Sequence, residues 1–105
     1  MLQFELYVPL TGNSGELIEE ALLEVLKKRL RDRFGGFTYF PQESEGEWET
    51  GGHRFRDRIV ILRVLSGEED AREWFKDRLE QFAREFGQNE FLITATSVET
   101  LDVAN

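Results

Sequence analysis

The sequence predicts an α+β fold in which six elements follow one another in the order β-α-β-β-α-β. Segments with the two-residue alternation of a strand are interleaved with two segments that have the periodicity of a helix. In addition, Ser14-Gly15-Glu16 recurs 52 residues later as Ser66-Gly67-Glu68, and Phe34-Gly35 recurs as Phe86-Gly87. We expect each Ser-Gly-Glu to open a helix and each Phe-Gly to close one, so the chain consists of two similar strand-helix-strand halves.

The first half begins with a strand over residues 2–8, where apolar and polar residues alternate. Residues 9–13 form a turn, and either Asn13 with Glu16 or Ser14 itself is expected to cap the helix that follows. Apolar residues recur along that helix at steps of three and four: Leu17 or Ile18, Ala21, Leu22, Val25, Leu26, Leu30 and Phe34. Gly35-Gly36 is expected to end the helix, because glycine adopts the positive φ of that position without a penalty.

The second strand begins at residues 37–40 and continues into a long hairpin. If Gly51-Gly52 is a two-residue type I′ or II′ loop, residues whose numbers sum to 103 face each other across the hairpin. This register pairs Trp48 with Phe55 and creates three pairs of opposite charge: Glu45 with Arg58, Glu47 with Arg56, and Glu49 with Arg54. Each such pair stabilises an antiparallel sheet by roughly 0.2–1 kcal/mol, so the pattern favours this register over its neighbours.

The second half repeats the plan of the first. Residues 59–65 are rich in β-branched side chains and form the third strand, and Ser66 with Glu69 is expected to be a capping box. The second helix carries an apolar stripe and is closed by Gly87; its stripe comprises Ala71, Trp74 or Phe75, Leu79, Phe82, Ala83 and Phe86. Residues 91–98 form the last strand, and residues 99–105 are expected to be a loosely held tail.

This order of elements predicts a single ferredoxin-like domain over residues 1–105. Its sheet has four antiparallel strands in the order 4-1-3-2, both helices cover one face, and a long hairpin joins the second and third strands.

Because both helices cover the same face, the other face is solvated or forms an interface. Arg63 would be buried beneath a helix unless Val60, Leu62 and Val64 face the core, and this fixes which residues face outward. The predicted outer face carries Tyr7, Phe40, Trp48, Phe55, Ile59 and Ile61, ringed by Glu5, Asp57 and Arg63. Its apolar area is large enough to require a cover. A bulge at Pro41 or Gly46 would instead turn Trp48 towards the end of the core.

Composition excludes several classes of function. The net charge of −8 and the pI near 4.7 disfavour nucleic acid as a partner. The basic residues near the end of the first helix follow glutamates at its start, which is the arrangement that complements the helix dipole. There is no cysteine for a disulfide or a thiolate site, and residues 2–8 are too short and too polar for a signal peptide or a membrane span. We therefore expect a cytoplasmic protein with no membrane partner.

Motifs for catalysis, metal binding or cofactor binding are not found. His53 is the only histidine, it lies beside the Gly51-Gly52 tip, and it has no second ligand in view. The glutamates of the hairpin alternate with arginine partners, which argues against a paired-acid site. The sequence therefore predicts no catalytic residue, no metal site and no cofactor.

Two resemblances follow from particular segments. The chain resembles a group of small uncharacterised bacterial proteins in Glu5-Leu6-Tyr7-Val8-Pro9-Leu10, Arg33-Phe34-Gly35-Gly36-Phe37-Thr38, Gly46-Glu47-Trp48, Gly51-Gly52 and Asp57-Arg58-Ile59-Val60. That group has no assigned activity, so the resemblance implies only a bacterial, cytoplasmic protein. In layout the chain is similar to the trimeric copper-tolerance CutA proteins and the PII-like signalling proteins, whose long hairpin reaches a neighbouring subunit. Pro41, Trp48 and Gly51-Gly52 carry this second resemblance, which implies a shared fold and does not transfer function.

The sequence thus predicts a non-enzymatic homo-oligomer, with a dimer favoured over a trimer, that associates or binds a small ligand through its outer sheet face. The predicted interface or ligand residues are Tyr7, Phe40, Trp48, Phe55, Ile59, Ile61 and Arg63. The alternative is a small cofactor-independent enzyme of the dimeric α/β-barrel type, with Tyr7, Arg63 or His53 in a cleft between subunits.

Overall fold

The computed structural model of the chain describes residues 1–12, 16–50 and 53–102, and at Trp48, Thr50 and residues 53–57 it describes the backbone alone. Six elements follow in the predicted order: β1 (Leu2–Pro9), α1 (Glu20–Phe34), β2 (Thr38–Thr50), β3 (His53–Ser66), α2 (Ala71–Glu85) and β4 (Ile93–Ser97). The strands form one sheet in the order β2-β3-β1-β4, with every neighbouring pair antiparallel. This is the predicted order 4-1-3-2 counted from the other edge, and the ferredoxin-like fold is confirmed.

The two helices cover the same face of the sheet because each central strand places alternate side chains in one shared core. The strands contribute Phe4, Leu6, Val8, Val60, Leu62 and Val64 to this core. The helices contribute Leu23, Leu26, Leu30, Ala71, Phe75 and Phe82, and the segment after α2 adds Phe86 and Phe91. The prediction that Val60, Leu62 and Val64 face the helices is confirmed.

The register of the β2–β3 hairpin agrees with the sum of 103, from Glu45 opposite Arg58 to Thr50 opposite His53. Trp48 is opposite Phe55 in the backbone pairing; their side chains, and the Gly51-Gly52 turn, lie outside the described residues. Arg58 is opposite Glu45, as predicted, and its guanidinium also donates a hydrogen bond to Glu43 on β2.

A β-bulge interrupts β2 between Phe40 and Ser44. Three residues of β2, beginning with Pro41, are opposite Val60 alone, so the register changes by two residues. Pro41 is the first residue of the irregularity and lies on an edge strand, and edges and bulges are the places where a sheet tolerates proline. A shift of two preserves the alternation of a strand, so even-numbered residues of β2 are opposite odd-numbered residues of β3 on both sides of the bulge.

Both helices begin later than the repeated Ser-Gly-Glu predicts. Before α1, the N–H of Gly12 donates to the carbonyl of Glu16 at 2.7 Å, and the N–H of Ile18 donates to the carbonyl of Leu10 at 2.8 Å. These bonds hold residues 10–12 against residues 16–18; the helix starts at Glu20, and Leu17 is left 75% exposed. The predicted cap at Asn13 or Ser14 lies outside the described residues.

The predicted capping box before α2 is wrong. Ser66 is the last residue of β3, and its hydroxyl accepts a 3.1 Å hydrogen bond from the N–H of Glu68. This bond forms a turn, and α2 begins at Ala71 after Asp70. The hydroxyl is used before the helix starts, which is why Ser66 with Glu69 does not act as a capping box.

The ends of the helices follow the prediction more closely. Gly35 has φ 85° after α1 and Gly87 has φ 61° after α2, both in the left-handed region. After α2, the N–H of Gln88 also donates to the carbonyl of Ala83 at 2.8 Å, which is the bond that defines a Schellman motif. The last strand is shorter than predicted, since Phe91 leaves the sheet and is buried against Phe82 and Phe86, with ring centroids 5.6 Å apart in each case.

Candidate functional site

The candidate site is the open face, by which we mean the side of the sheet opposite the helices, carrying Glu5, Tyr7, Phe40, Ile61 and Arg63. These residues alternate along β1, β2 and β3 with residues that are buried or packed against the core. All five are partly exposed. The structure therefore leaves this side of the sheet without a cover from the described residues.

An apolar row crosses the open face over β2, β3 and β1 and ends at the residue before β4. Ile61 on β3 is the register partner of Phe40 on β2 and of Tyr7 on β1. The row extends to Leu92 just before β4, because the N–H of Tyr7 donates to the carbonyl of Leu92 at 3.0 Å. Cross-strand partners lie roughly 4.5–5.5 Å apart at Cβ, so Phe40, Ile61 and Tyr7 form a continuous apolar strip.

A polar row lies beside the apolar row. Arg63 on β3 is the register partner of Thr38 on β2 and of Glu5 on β1, and Glu5 is in turn opposite Thr94 on β4. Nη2 of Arg63 donates a 3.1 Å hydrogen bond to Oε2 of Glu5, and the guanidinium carbon lies 4.7 Å from the centroid of the Phe40 ring. Arg63 therefore connects the two rows through an ion pair and a cation–π contact.

One polar atom of this arrangement is not satisfied. Nε of Arg63 is buried and has no hydrogen-bond partner in the part of the chain that the structure describes, although the side chain as a whole retains 34% of its exposure. A buried donor without an acceptor costs roughly 1–3 kcal/mol. The open face therefore holds a donor that has no acceptor among the described residues.

The predicted site residues are brought together in part. Tyr7, Phe40, Ile61 and Arg63 are neighbours on the open face, and Ile59 lies further along β3 between Pro9 and Ser44. The side chains of Trp48, Phe55 and Asp57, and that of His53, lie outside the described residues. For these four residues the backbone establishes only the strand register, which continues from Ile59 along the hairpin.

Two residues of this region were missed by the sequence analysis. Leu65, 48% exposed, continues the alternation of Ile61 and Arg63 on β3, and Leu92, 57% exposed, ends the apolar row. Extending the strand alternation by two residues would have identified Leu65. Leu92 required the pairing of β4 with β1, which the sequence analysis did not use.

Two shallow depressions flank these residues. One has a volume of about 340 Å³ and is lined by the segment 34–38 together with Arg63 and Leu65. The other has a volume of about 350 Å³ and lies between α2 and the segment 89–92, with Leu79, Ala83 and Phe91 among its lining residues. Both are open to solvent and neither is an enclosed cavity.

The hairpin extends beyond the rest of the sheet. β1 pairs with β3 only as far as Ile59, so residues 44–50 and 53–58 form a two-stranded ribbon that has no third strand beside it among the described residues. We call this ribbon the arm. An isolated two-stranded hairpin is marginally stable in water, so the arm gains stability from any surface that covers it.

The described residues provide two further findings. No three histidine, cysteine, aspartate or glutamate side chains within them come together in an arrangement that could hold a metal ion. None of the helices in the described part of the chain has the length and hydropathy needed to cross a membrane.

Together, the order of elements, the antiparallel sheet and the shared core define a ferredoxin-like α+β protein. Its fold is similar to that of the divalent cation tolerance protein CutA1 from Thermus thermophilus, with a TM-score of 0.68 and 15% identity over 97% of this chain and 88% of that one. A variant of CutA1 from Pyrococcus horikoshii gives a TM-score of 0.65 and 14% identity over 97% and 87% of the two chains.

A phage SAM lyase is also similar. Its apo structure has a TM-score of 0.61 and 14% identity, covering 90% of this chain and 78% of that one. Its complex with S-methyl-5′-thioadenosine has a TM-score of 0.59 and 16% identity, covering 90% and 79%. No protein-family model matches the chain, and no curated protein matches it. At these identities the similarity establishes the fold alone, which agrees with the resemblance to the layout of CutA proteins.

Proposed function

We propose that the chain is a non-enzymatic homo-oligomeric module that associates, or binds a small ligand, through its open face. The observation that carries the proposal is the apolar row of Phe40, Ile61, Tyr7 and Leu92, which crosses β2, β3 and β1 and ends just before β4. A contiguous apolar patch rimmed by polar residues is typical of an interaction surface. The predicted members Trp48, Phe55 and Ile59 extend the proposed surface along the arm.

Self-association is the simplest way to cover this face. A second copy offers the same apolar row, and a two-fold axis would place Arg63 and Glu5 of each copy within reach of their counterparts. After such a rotation the positive group of one copy faces the negative group of the other, so the two surfaces are complementary in charge. The proposed assembly is a dimer or a trimer.

The test is the mass of the protein in solution, measured by light scattering after gel filtration over a range of concentrations. We expect the native chain to be an oligomer at micromolar concentration and Ile61→Glu to shift it towards the monomer. Val25→Glu is the matched control, because Val25 is 45% exposed on α1, away from the open face. Circular dichroism verifies that both variants fold. A native chain that is monomeric throughout, or an oligomer unchanged by Ile61→Glu, would contradict the proposal.

A second candidate function is a small enzyme with its site between subunits. The observation that favours it is Nε of Arg63, which lacks a partner among the described residues and lies next to the row that contains Tyr7. The phage SAM lyase, whose fold is similar, is described in complex with S-methyl-5′-thioadenosine, which supplies a probe. Thermal shift with S-methyl-5′-thioadenosine, compared between the native chain and Arg63→Gln, tests this candidate. If the nucleoside does not raise the melting temperature of the native chain, the result counts against the enzymatic function.

A further inference from the structure

One of the two shallow depressions contains Arg63, whose Nε has no acceptor among the described residues. This depression lies where the chain passes from α1 to β2, at the end of the sheet opposite the arm. It is lined by the segment 34–38 together with Arg63 and Leu65, and its volume is about 340 Å³. Small-molecule sites usually occupy roughly 300–1,000 Å³, so the depression is large enough for a small organic molecule.

The residues that line the depression supply three kinds of hydrogen-bond donor. Nη2 of Arg63 donates to Glu5 at 3.1 Å, whereas Nε of the same guanidinium has no partner among the described residues. Thr38 is the register partner of Arg63, so its hydroxyl lies on the same face of the sheet. The N–H of Gly36 has no backbone acceptor in the part of the chain that the structure describes. A ligand that satisfies these groups must therefore present acceptors.

The charges around the depression limit that ligand to a single negative charge. Arg63 is the only charged side chain among the described residues that line it. Glu5 nevertheless occupies one side of the guanidinium, and α1 ends at Phe34, so the partly negative C-terminus of the helix points towards the same loop. Both would repel a dianion more strongly than a monoanion. A carboxylate meets this requirement, because it has two acceptor oxygens that match a guanidinium and carries one charge.

The remaining side chains of the lining are apolar. Leu65 is 48% exposed, and Phe34 and Phe37 pack against the core, which holds the two rings in place. On the loop side, a Cβ at Gly35 or Gly36 would meet no atom within 4 Å, so the backbone there leaves the depression open. An apolar group that covers Leu65 is removed from water together with it, which favours a ligand with an apolar body.

We propose that this depression binds a small organic monocarboxylate with an apolar body. The carboxylate accepts hydrogen bonds from Nε of Arg63 and from the hydroxyl of Thr38, and the apolar body covers Leu65 and Phe37. Because Nε is buried, the guanidinium has to turn towards the depression as the ligand enters. The Nε–H group of Arg63 therefore reports directly on binding.

This inference deepens the proposed function, because it rests on ligand binding at the open face and names the place and the chemical class of the ligand. The depression lies beside the polar row, at one end of the sheet, and the apolar row that carries the proposed association does not line it. Ligand binding and self-association can therefore be tested separately.

The test uses benzoate as the probe and follows it by ¹H–¹⁵N NMR titration of the full chain at neutral pH. We expect benzoate to bind and to move the Nε–H resonance of Arg63 downfield, because the donor gains a charged acceptor. Benzamide has nearly the same shape without the charge, and acetate has the charge without the apolar body. Each of these two, and inorganic phosphate, should bind at least about tenfold more weakly than benzoate.

Two variants separate the donors from the space. Arg63→Gln should weaken benzoate binding at least about tenfold, because the charged donor is lost. Leu65→Trp keeps every donor but fills the depression, and it should abolish binding while circular dichroism shows the native fold. Arg78→Gln is the matched control, since Arg78 also lies over an aromatic ring, 4.2 Å from the centroid of Trp74, but belongs to α2. It should bind benzoate as the native chain does.

The inference is overturned if benzoate leaves the Nε–H resonance of Arg63 unmoved, if benzamide binds as tightly as benzoate, or if binding survives Leu65→Trp. Light scattering of the same samples separates this result from the proposed association. An oligomer that depends on Ile61 but does not bind benzoate would leave the association standing. A monomer that binds benzoate in the depression would support the ligand site and contradict the association, and a monomer that does not bind it would overturn both.

Discussion

Arg63 and Glu5 face each other across β3 and β1 on the open face and are joined by a 3.1 Å hydrogen bond. Their side chains retain 34% and 24% of their exposure, so the pair is only partly screened by water. The Phe40 ring lies against the same guanidinium. This relationship ties the polar row to the apolar row and keeps Arg63 in one orientation.

Glu5→Gln is expected to lower the free energy of unfolding by about 1 kcal/mol, because it leaves a partly buried guanidinium with a weaker acceptor. The measurement is urea unfolding of both chains at neutral pH. Asp32→Asn is the matched control, since it removes a carboxylate from the Lys28–Asp32 pair, whose side chains are 66% and 60% exposed. The control should change stability by less than Glu5→Gln does, because solvent screens an exposed pair. Equal effects of the two substitutions would contradict the importance of the Arg63–Glu5 pair.

Gly35→Ala is expected to destabilise the chain by about 1 kcal/mol, because Gly35 has φ 85° and alanine adopts that region poorly. Gly36→Ala is the control in the adjacent position. A Cβ at either glycine would meet no atom within 4 Å, and only Gly35 has a positive φ. A difference between the two variants in thermal unfolding therefore measures backbone conformation separately from steric contact, and no difference would contradict the role of Gly35 in ending α1.

The parts of the fold that the sequence predicted are those fixed by alternation and by turn geometry. The hairpin register followed from one two-residue loop and three charge pairs, and the bulge at Pro41 did not disturb it because a shift of two restores the alternation. The inward side of β3 followed from the cost of burying Arg63. These features depend on neighbours that are close in the chain or directly opposite in the hairpin.

The parts that the sequence did not predict depend on competition between local signals and more distant pairing. Ser66 has the spacing of a capping box, yet it ends a strand that pairs with β1, and its hydroxyl bonds to Glu68. Leu17 continues the helical stripe, yet it forms a bridge to Thr11. The residues of β4 whose backbone groups point away from β1 can be identified only from the hydrogen bonds between the two strands.

Ser66→Ala is expected to cost about 1 kcal/mol of stability, because the buried hydroxyl no longer accepts from the N–H of Glu68. Glu69→Ala should change stability by less than about 0.5 kcal/mol, since Glu69 is exposed and lies before α2 begins. Chemical denaturation of the two variants compares these values. A large loss of stability in Glu69→Ala would indicate that Ser66 and Glu69 form a capping box, which would contradict the structure.

The contact between the helices should make stability depend on pH in a defined direction. Nη1 of Arg29 donates a 2.6 Å hydrogen bond to Oε2 of Glu85, and this bond holds the pKa of the Glu85 carboxyl below its usual range. A carboxyl whose pKa is lower in the folded chain than in the unfolded chain stabilises the fold. This stabilisation is complete above the unfolded pKa, near 4.5, and is lost as the pH falls through the folded pKa.

Glu85→Gln should therefore lower the free energy of unfolding by about 0.5–1 kcal/mol at pH 7, and the difference from the native chain should shrink towards zero in acid below the folded pKa. The measurement is urea unfolding of both chains between neutral and acid pH. Glu80→Gln, at an exposed position of the same helix, is the control and should show a smaller difference at neutral pH. Protonation of Glu85 in acid removes the charge that bonds to Arg29, so the stability difference should disappear there. A difference that stayed constant with pH, or grew in acid, would show that the charge of Glu85 does not join the helices.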